Sequence, residues 1–354
     1  MAIDKFKYNP LYFDPRTTWS YNAIYNEVYG GRGTGKTFNT LGWAIERWIK
    51  TRHTDKPSGI VYLRRYTTEL ERLTKNPDKG TAKLFDDIIA KGMFAGHELR
   101  AENDILYCDD EMMGIALALT DQSILKSIPF PDARVGIFEE FVTIDRFRGY
   151  LPHEVELFLE LDSTIDRNRD QLRWFMLGNK CDAINPYMTY WDHDMPFNKN
   201  RELFGNDNQI LVEDVKNEQF VEMVKQTRRG RLLKETNYGR YAYDNESLRS
   251  NTNFIGKKPY TCEYKFTLVY YYQKLGIWYD VRNGRYYISH DVNEECPITY
   301  CATTEDMQPN TMLFMKNNRS PFIQRLMRAY ECGCVYYEDM KLKSWFRDIV
   351  KMRS

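Results

Sequence analysis

Residues 30–37 read Gly-Gly-Arg-Gly-Thr-Gly-Lys-Thr and satisfy the pattern G-x-x-x-x-G-K-[ST] at every fixed position. No other stretch restricts the fold of the chain so tightly. In this pattern a strand enters a glycine-rich turn and a helix leaves it. Glycines let successive backbone N–H groups turn inward on a phosphate with no Cβ in the way. The helix N-terminus adds its positive end. A lysine placed as Lys36 is reaches the β- and γ-phosphates, and a hydroxyl placed as that of Thr37 serves Mg²⁺. The expected nucleotide-binding set is Gly30, Gly31, Arg32, Gly33, Thr34, Gly35, Lys36 and Thr37. The flanks agree with it. Ala23–Tyr29 has a strand pattern, and 36–50 carries Leu41, Ala44, Ile45 and Trp48 on one helical stripe. Arg32 adds a second cation, with three destinations open to it: the γ-phosphate, a neighbouring subunit or solvent.

Beyond this motif, short apolar runs alternate with helical patterns. Gly59–Leu63, Val135–Phe138 and Leu172–Leu177 fit buried strands, and Asn103–Cys108 with Met112–Leu119 fits a hairpin. His153–Ile165 carries Val155, Phe158, Leu159 and Ile165 on one helical face. Such alternation predicts an α/β fold with a mostly parallel sheet and helices on both sides. The pattern changes after Asn206. Lys225–Arg240 holds six basic residues against one acid, and 245–258 reads as a polar connector. Thr261–Tyr272, Gly276–Asp280 and Arg285–Ser289 read as strands, and Asn283-Gly284 between the last two is a strong hairpin signal. Ser320-Pro321 starts one helix, and 338–353 forms another with Leu342, Trp345, Phe346 and Ile349 on one side. A small β-meander with terminal helices is expected in this half.

The strand Val135–Phe138 runs straight into Glu139 and Glu140. An apolar strand ending in two acids has the form of a Walker B segment. Its first carboxylate serves Mg²⁺ through a bound water, and its second polarises the attacking water. Aspartate is usual at the first position. Glu139 is longer by one methylene, about 1.5 Å, which a water-mediated contact absorbs. The second acid favours hydrolysis over transfer to a bound acceptor. Arg167 and Arg169 lie between a helix and the next strand. They are placed either to reach a neighbouring subunit's site, where an arginine adds ~10³–10⁵ in rate, or to pair with Asp166 and Asp170 at the surface. Asn179 ends its strand either as a polar sensor of the γ-phosphate or as a satisfied loop residue.

Composition removes several classes. The 50 Lys+Arg balance 50 Asp+Glu, which argues against a protein that coats nucleic acid by bulk attraction. Local stripes remain at Lys225–Arg240 and from Lys316 onward, where nine Lys/Arg face four acids. The second stripe suits docking onto an acidic partner, protein or RNA, or forms the solvated faces of ordinary helices. The longest apolar run, Met112–Leu119, is far short of the ~20 residues of a membrane helix, and the first residues lack a signal-peptide pattern. A cytoplasmic chain with no membrane partner is expected. Its seven scattered cysteines read as reduced thiols.

Seven segments occur in one order along the chain: Tyr8-Asn-Pro10, Gly30–Thr37, Tyr62-Leu-Arg-Arg-Tyr66, Phe138-Glu-Glu-Phe141, Arg167-Asn-Arg169, Gly178-Asn179 and Leu275-Gly-Ile-Trp-Tyr-Asp280. With this set the sequence resembles the DNA-packaging ATPases of small phi-29-type tailed bacteriophages. The resemblance implies an ASCE-type P-loop ATPase domain over residues 1–205, a linker domain over 206–255 and an α+β, RNase H-like vestigial nuclease domain over 256–354. It also implies a homomeric ring, by analogy a pentamer, on the portal (connector) protein of an empty procapsid in the host cell cytoplasm. Such a ring hydrolyses ATP with Mg²⁺ and drives double-stranded DNA inward; a packaging RNA is an optional partner. By the same analogy Glu140 is the catalytic glutamate, Glu139 with Thr37 serves the metal, Arg167 is the first choice for a trans-acting arginine with Arg169 second, and Asn179 is a coupling residue.

Two other functions compete. A terminase with an active C-terminal nuclease needs several carboxylates converging on two metals. Asp280 ends a strand, but no second acid holds an obvious strand position beside it. A nucleotide-binding assembly module with little turnover is the other, suggested by Glu139 in place of Asp. For DNA contacts the residues named are Lys126, Arg64 and Arg65, the last two alternatively serving the nucleotide.

Overall fold

The computed structural model describes residues 9–74, 83–121, 130–143, 149–179, 185–196, 199–233, 236, 254–314 and 320–353. The chain divides into two compact units, Met1–Asp182 with His193–Leu248, and Ala183–Asp192 with Arg249–Ser354.

The first unit is built in the order α1 (Pro15–Ser20), β1 (Tyr25–Gly30), α2 (Lys36–Thr51), β2 (Gly59–Arg64), α3 (Thr67–Thr74), α4 (Lys83–Ala90), β3 (Leu99–Glu102), β4 (Ile105–Cys108), β5 (Glu111–Ala118), β6 (Ala133–Glu139), α5 (Glu154–Asp166) and β7 (Arg173–Gly178). The chain then visits the second unit as α6 (Pro186–Tyr190) and returns as β8 (Arg201–Phe204), β9 (Ile210–Val215), α7 (Glu218–Gln226) and α8 (Arg228–Leu233). Nine strands form one sheet in the order β3-β4-β5-β2-β6-β7-β1-β9-β8. From β5 across to β9 every pair is parallel, and the antiparallel strands β3, β4 and β8 lie at the margins. β2 and β7 are buried at all six positions, as expected of central parallel strands covered on both faces. Between β1 and β2 the chain steps over β7 and β6. Open α/β sheets bind ligands outside the carboxyl ends of the strands at such a switch.

β9 lies beyond the domain boundary expected after residue 205, yet it pairs with β1 from Tyr25↔Ile210 to Gly30↔Val215. The sheet therefore continues past that boundary. The strand looks polar because it buries two acids whose charges are met locally. Glu213 accepts from Thr18 Oγ1 at 2.6 Å and pairs with Arg201 at 2.5 Å, while Asp214 pairs with Lys216 at 3.2 Å.

The second unit holds β10 (Glu263–Tyr270), β11 (Gln273–Asp280), β12 (Arg285–Ser289), β13 (Thr299–Cys301), β14 (Thr311–Leu313), α9 (Pro321–Glu331), β15 (Val335–Tyr337) and α10 (Met340–Arg353). Its sheet runs β14-β13-β10-β11-β12-β15. Only β10, β11 and β12 form the expected meander; β13, β14 and β15 join in parallel. Each added strand has three residues, too few for an alternating pattern to show. Ile323 and Leu326 of α9 and Leu342, Trp345, Phe346 and Ile349 of α10 complete the core. α6 is fixed here by a hydrogen bond from Trp345 Nε1 to Thr189 Oγ1 at 2.8 Å. Among the described residues, no helix is long and apolar enough to cross a membrane.

Candidate functional site

The turn between β1 and α2 is shaped by Gly33 and Gly35, at φ 78° and 77°. That region favours glycine. A Cβ on Gly35 would also stand 2.9 Å from Cβ of Tyr12, so the position excludes a side chain twice. Phe13 N–H donates to the carbonyl of Thr34 at 2.9 Å and ties the preceding segment to the turn. Lys36 folds back over its own loop. Its Nζ donates to the carbonyls of Gly30 and Gly31, each at 3.0 Å, and lies 3.4 Å from both Thr34 Oγ1 and Asn179 Oδ1. Parallel pairing of β1 with β7 places Tyr29 beside Gly178, so Asn179 arrives next to the turn from a strand distant in sequence.

β6 pairs with β7 and delivers the two acids to the same edge. Thr37 Oγ1 donates to Glu139 Oε1 at 2.6 Å. The extra methylene of Glu139 thus lets the carboxylate reach the first turn of α2 directly. Its other oxygen accepts from the Tyr62 hydroxyl and from Arg64 at 2.9 Å. Arg64 also reaches Glu140 Oε2 at 3.0 Å, so a single guanidinium holds both acids. Burial, and after it the charge of Glu139, push the Tyr62 phenol well above its ordinary value, which keeps it a donor. Burial opposes the charge of Arg64, but the negative partners around it outweigh that and raise its value. The side chain of Glu140 is 60% exposed, unlike that of Arg64 at 11%. Glu140 has φ 56°, an uncommon conformation for a residue with a side chain. Arg65 braces it: the guanidinium donates to the carbonyls of Glu140 at 2.9 Å and Phe141 at 2.6 Å, and pairs with buried Glu154 at 2.7 Å.

Lys36, Thr37, Tyr62, Glu139, Glu140 and Asn179 line a cleft of about 840 Å³, together with Tyr12, Arg32, Lys83 and Lys91. Arg167 and Arg169 are not part of it. They precede β7, whereas Asn179 follows it. Six strand residues at ~3.3 Å each put them roughly 20 Å away, at the opposite ends of the strands. Arg169 is engaged with backbone, donating to the carbonyl of Ile165 at 2.5 Å. Arg167 is exposed, and among the described residues its side chain has no hydrogen bond or ion pair.

The model of the podovirus DNA encapsidation protein (Gp16) family matches residues 7–353. The chain belongs to that family. A DNA packaging protein of Bacillus phage phi29 is 28% identical over 334 residues, 94% of this chain and 95% of that protein. Among solved structures, the bacteriophage phi29 viral genome packaging motor assembly contains a chain 27% identical to this one. The match covers 97% of this chain and 100% of that one, with a TM-score of 0.74. The N-terminal domain of the phi29 DNA packaging ATPase matches at 28% identity over 59% of this chain and 99% of its own, with a TM-score of 0.51.

Other residues named from the sequence fare differently in this encapsidation-family chain. Arg64 is buried and bonded to Glu139 and Glu140, and Arg65 is buried against Glu154, so neither is available to grip DNA. Lys126 lies outside the described residues, as do Lys234, Arg240 and Tyr8. Asp280 accepts from Arg282 N–H at 3.0 Å and Asn283 Nδ2 at 2.7 Å, capping its own turn. Among the described residues, the one set of side chains grouped like metal ligands is His97, Cys108 and Asp109. It does not suit a cation. Arg52 stands 3.0 Å from the Asp109 oxygen that also meets His97, and burial pushes the Cys108 thiol up to about 12. Sequence reasoning missed Tyr12, Tyr62 as a partner of Glu139, and the Arg65–Glu154 pair. Tyr62 and both arginines do fall in the quoted segment Tyr62–Tyr66, the one signal that marked them.

Proposed function

We propose that this chain is an ATP-hydrolysing ring motor that drives double-stranded viral DNA into an empty procapsid through the portal. One observation carries the reading: Lys36, Thr37, Glu139, Glu140 and Asn179 converge on a single cleft in a member of a DNA encapsidation family. The turn at Gly30–Thr37 then acts as a P-loop of an ASCE-type ATPase. Lys36 exchanges its two carbonyl partners for phosphate oxygens, which are stronger, charged acceptors. Thr37 and Glu139 offer two hard oxygens 2.6 Å apart, a donor set that suits Mg²⁺. When bound, Mg²⁺ supplies charge neutralisation at the β- and γ-phosphates. Glu140 is the exposed member of the acid pair and takes the water-orienting role, with Arg64 and Arg65 fixing its side chain and backbone. Asn179, at 3.4 Å from Lys36 Nζ, is placed to sense the γ-phosphate.

Arg167 cannot serve the cleft of its own subunit from the far ends of the strands. It is the better of the two candidates for donation to a neighbour, because Arg169 is engaged with Ile165. A closed ring, a pentamer by family analogy, supplies that neighbour and seats the motor at the portal vertex in the host cytoplasm. The basic residues from Lys316 onward suit the portal protein or a packaging RNA. Residues after β9 form the linker in this reading. The second unit is read as an RNase H-like domain. Its three antiparallel strands β10–β12 followed by parallel β13 and β14 support that reading, and Asp280's engagement in its own turn supports a vestigial one.

The test is ATP hydrolysis and DNA protection by purified protein with procapsids and linear DNA. Lys36→Ala should abolish both, while Asp280→Asn should leave both intact. Full packaging by Lys36→Ala would overturn the assignment of the cleft.

A further inference from the structure

Residues 166–172 connect α5 to β7 and carry Arg167 at their start. Arg167, Asn168 and Asp170 all have positive φ, at 48°, 59° and 49°. None of them is glycine, so the turn needs external support to hold this shape. The support is visible. The carboxylate of Asp166 accepts three backbone N–H groups: that of Asp170 at 2.8 Å on one oxygen, and those of Gln171 and Leu172, each at 3.0 Å, on the other. Arg169 crosses beneath and caps the carbonyl of Ile165. Gln171 Nε2 donates to the carbonyl of Pro131 at 2.6 Å, just ahead of β6. Burial works against a charged carboxylate at Asp166, but the backbone donors outweigh it and hold the group below its usual range. Of the polar side chains of this braced turn, those of Arg167 and Asn168 have no hydrogen bond or ion pair among the described residues, and both are exposed.

We propose that Asp166 is a positioning residue for hydrolysis: it organises the 166–172 turn so that Arg167 is presented in one orientation to the neighbouring subunit's nucleotide. The proposal rests on the trans-acting role of Arg167 given above. Preorganisation of this kind matters because a catalytic cation contributes through its placement, and the cost of ordering it is met during folding. Arg169 is the second strut of the same turn and a positioning residue by the same logic.

The test compares wild type, Asp166→Asn, Arg167→Ala and the double variant as full-length protein with procapsids and DNA. Each is measured for kcat and KM of ATP hydrolysis and for thermal unfolding. Arg167→Ala should lower kcat by about 10³-fold. Asp166→Asn should lower kcat by on the order of 10-fold, with KM for ATP unchanged. In the Arg167→Ala background the same Asp166→Asn change should cost nothing more, because its effect passes through the arginine. Equal fractional losses in both backgrounds, or wild-type kcat for Asp166→Asn, would overturn the proposal. Unchanged kcat for Arg167→Ala would instead overturn the reading beneath it. Should Asp166→Asn not fold, Arg169→Met provides a second arm that leaves the carboxylate in place. It should lower kcat alone, and a wild-type kcat would again overturn the proposal.

Discussion

Strand β6 ends in Glu139 and Glu140, and strand β11 ends in Asp280. Both ends lie at a turn, both carry carboxylates, and both read as site candidates in the sequence. Around β6 the fold brings a hydroxyl from α2 and a phenol and a guanidinium from β2 to the acids. Around β11 the donors to the Asp280 side chain come from the next three residues. A strand-end carboxylate becomes part of a site when distant elements supply its partners and it lines a cleft. It becomes a turn cap when its neighbours in sequence reach it first.

The largest test of this contrast is Glu140→Gln. On the proposed water-orienting role, this change should lower DNA-stimulated ATP hydrolysis by about 10²–10⁴-fold while fluorescent ATP-analogue binding persists. A rate within twofold of wild type would place the chemistry elsewhere. Glu139→Asp asks whether direct contact with Thr37 matters. The shorter acid draws back from the hydroxyl now at 2.6 Å, and an increase of about tenfold in the Mg²⁺ concentration needed for half-maximal rate is expected. Asp280→Asn should be nearly silent, changing ATPase rate by less than about twofold, and plasmid incubated with Mn²⁺ should stay intact. Nicking by wild type that Asp280→Asn removes would erase the contrast.

A third strand carboxylate gives the smallest effect. Glu27 in β1 is fully buried against His193 Nε2 at 2.9 Å and the Tyr29 hydroxyl. Burial lowers the His193 value, but the charge of Glu27 more than offsets it, so the folded-state value is raised. The pair's stabilisation is therefore complete below the ordinary histidine value of about 6.5 and is lost as pH rises through the folded one. Thermal unfolding of wild type and His193→Gln should differ most near pH 6 and converge in alkali. A gap that widens with pH would reverse the sign.

The cradle was legible in the sequence because its parts are contiguous: a strand, two glycines that must take positive φ, and a helix start obey local rules. The apolar run into Glu139 was legible for the same reason. Arg64 was legible only as one of two alternatives, since its hold on the acids depends on parallel pairing of β2 with β6, which brings together residues 75 positions apart. β9 escaped notice because its buried Glu213 and Asp214 make it look like a connector. β13, β14 and β15 escaped because three residues carry no period. By position alone Arg167 and Arg169 were equal candidates; the resemblance ranked Arg167 first, and the side-chain partners give the physical difference between them.

The visit of α6 to the second unit has a mechanical consequence. Residues through Asn179 belong to the first unit, 185–192 to the second, those from His193 to the first again, and those from 254 to the second. No single cut in the backbone separates the two. Three separate stretches of backbone therefore join the two units. One of those stretches starts at Asn179, the residue beside Lys36 Nζ, and ends in a helix tied to Trp345.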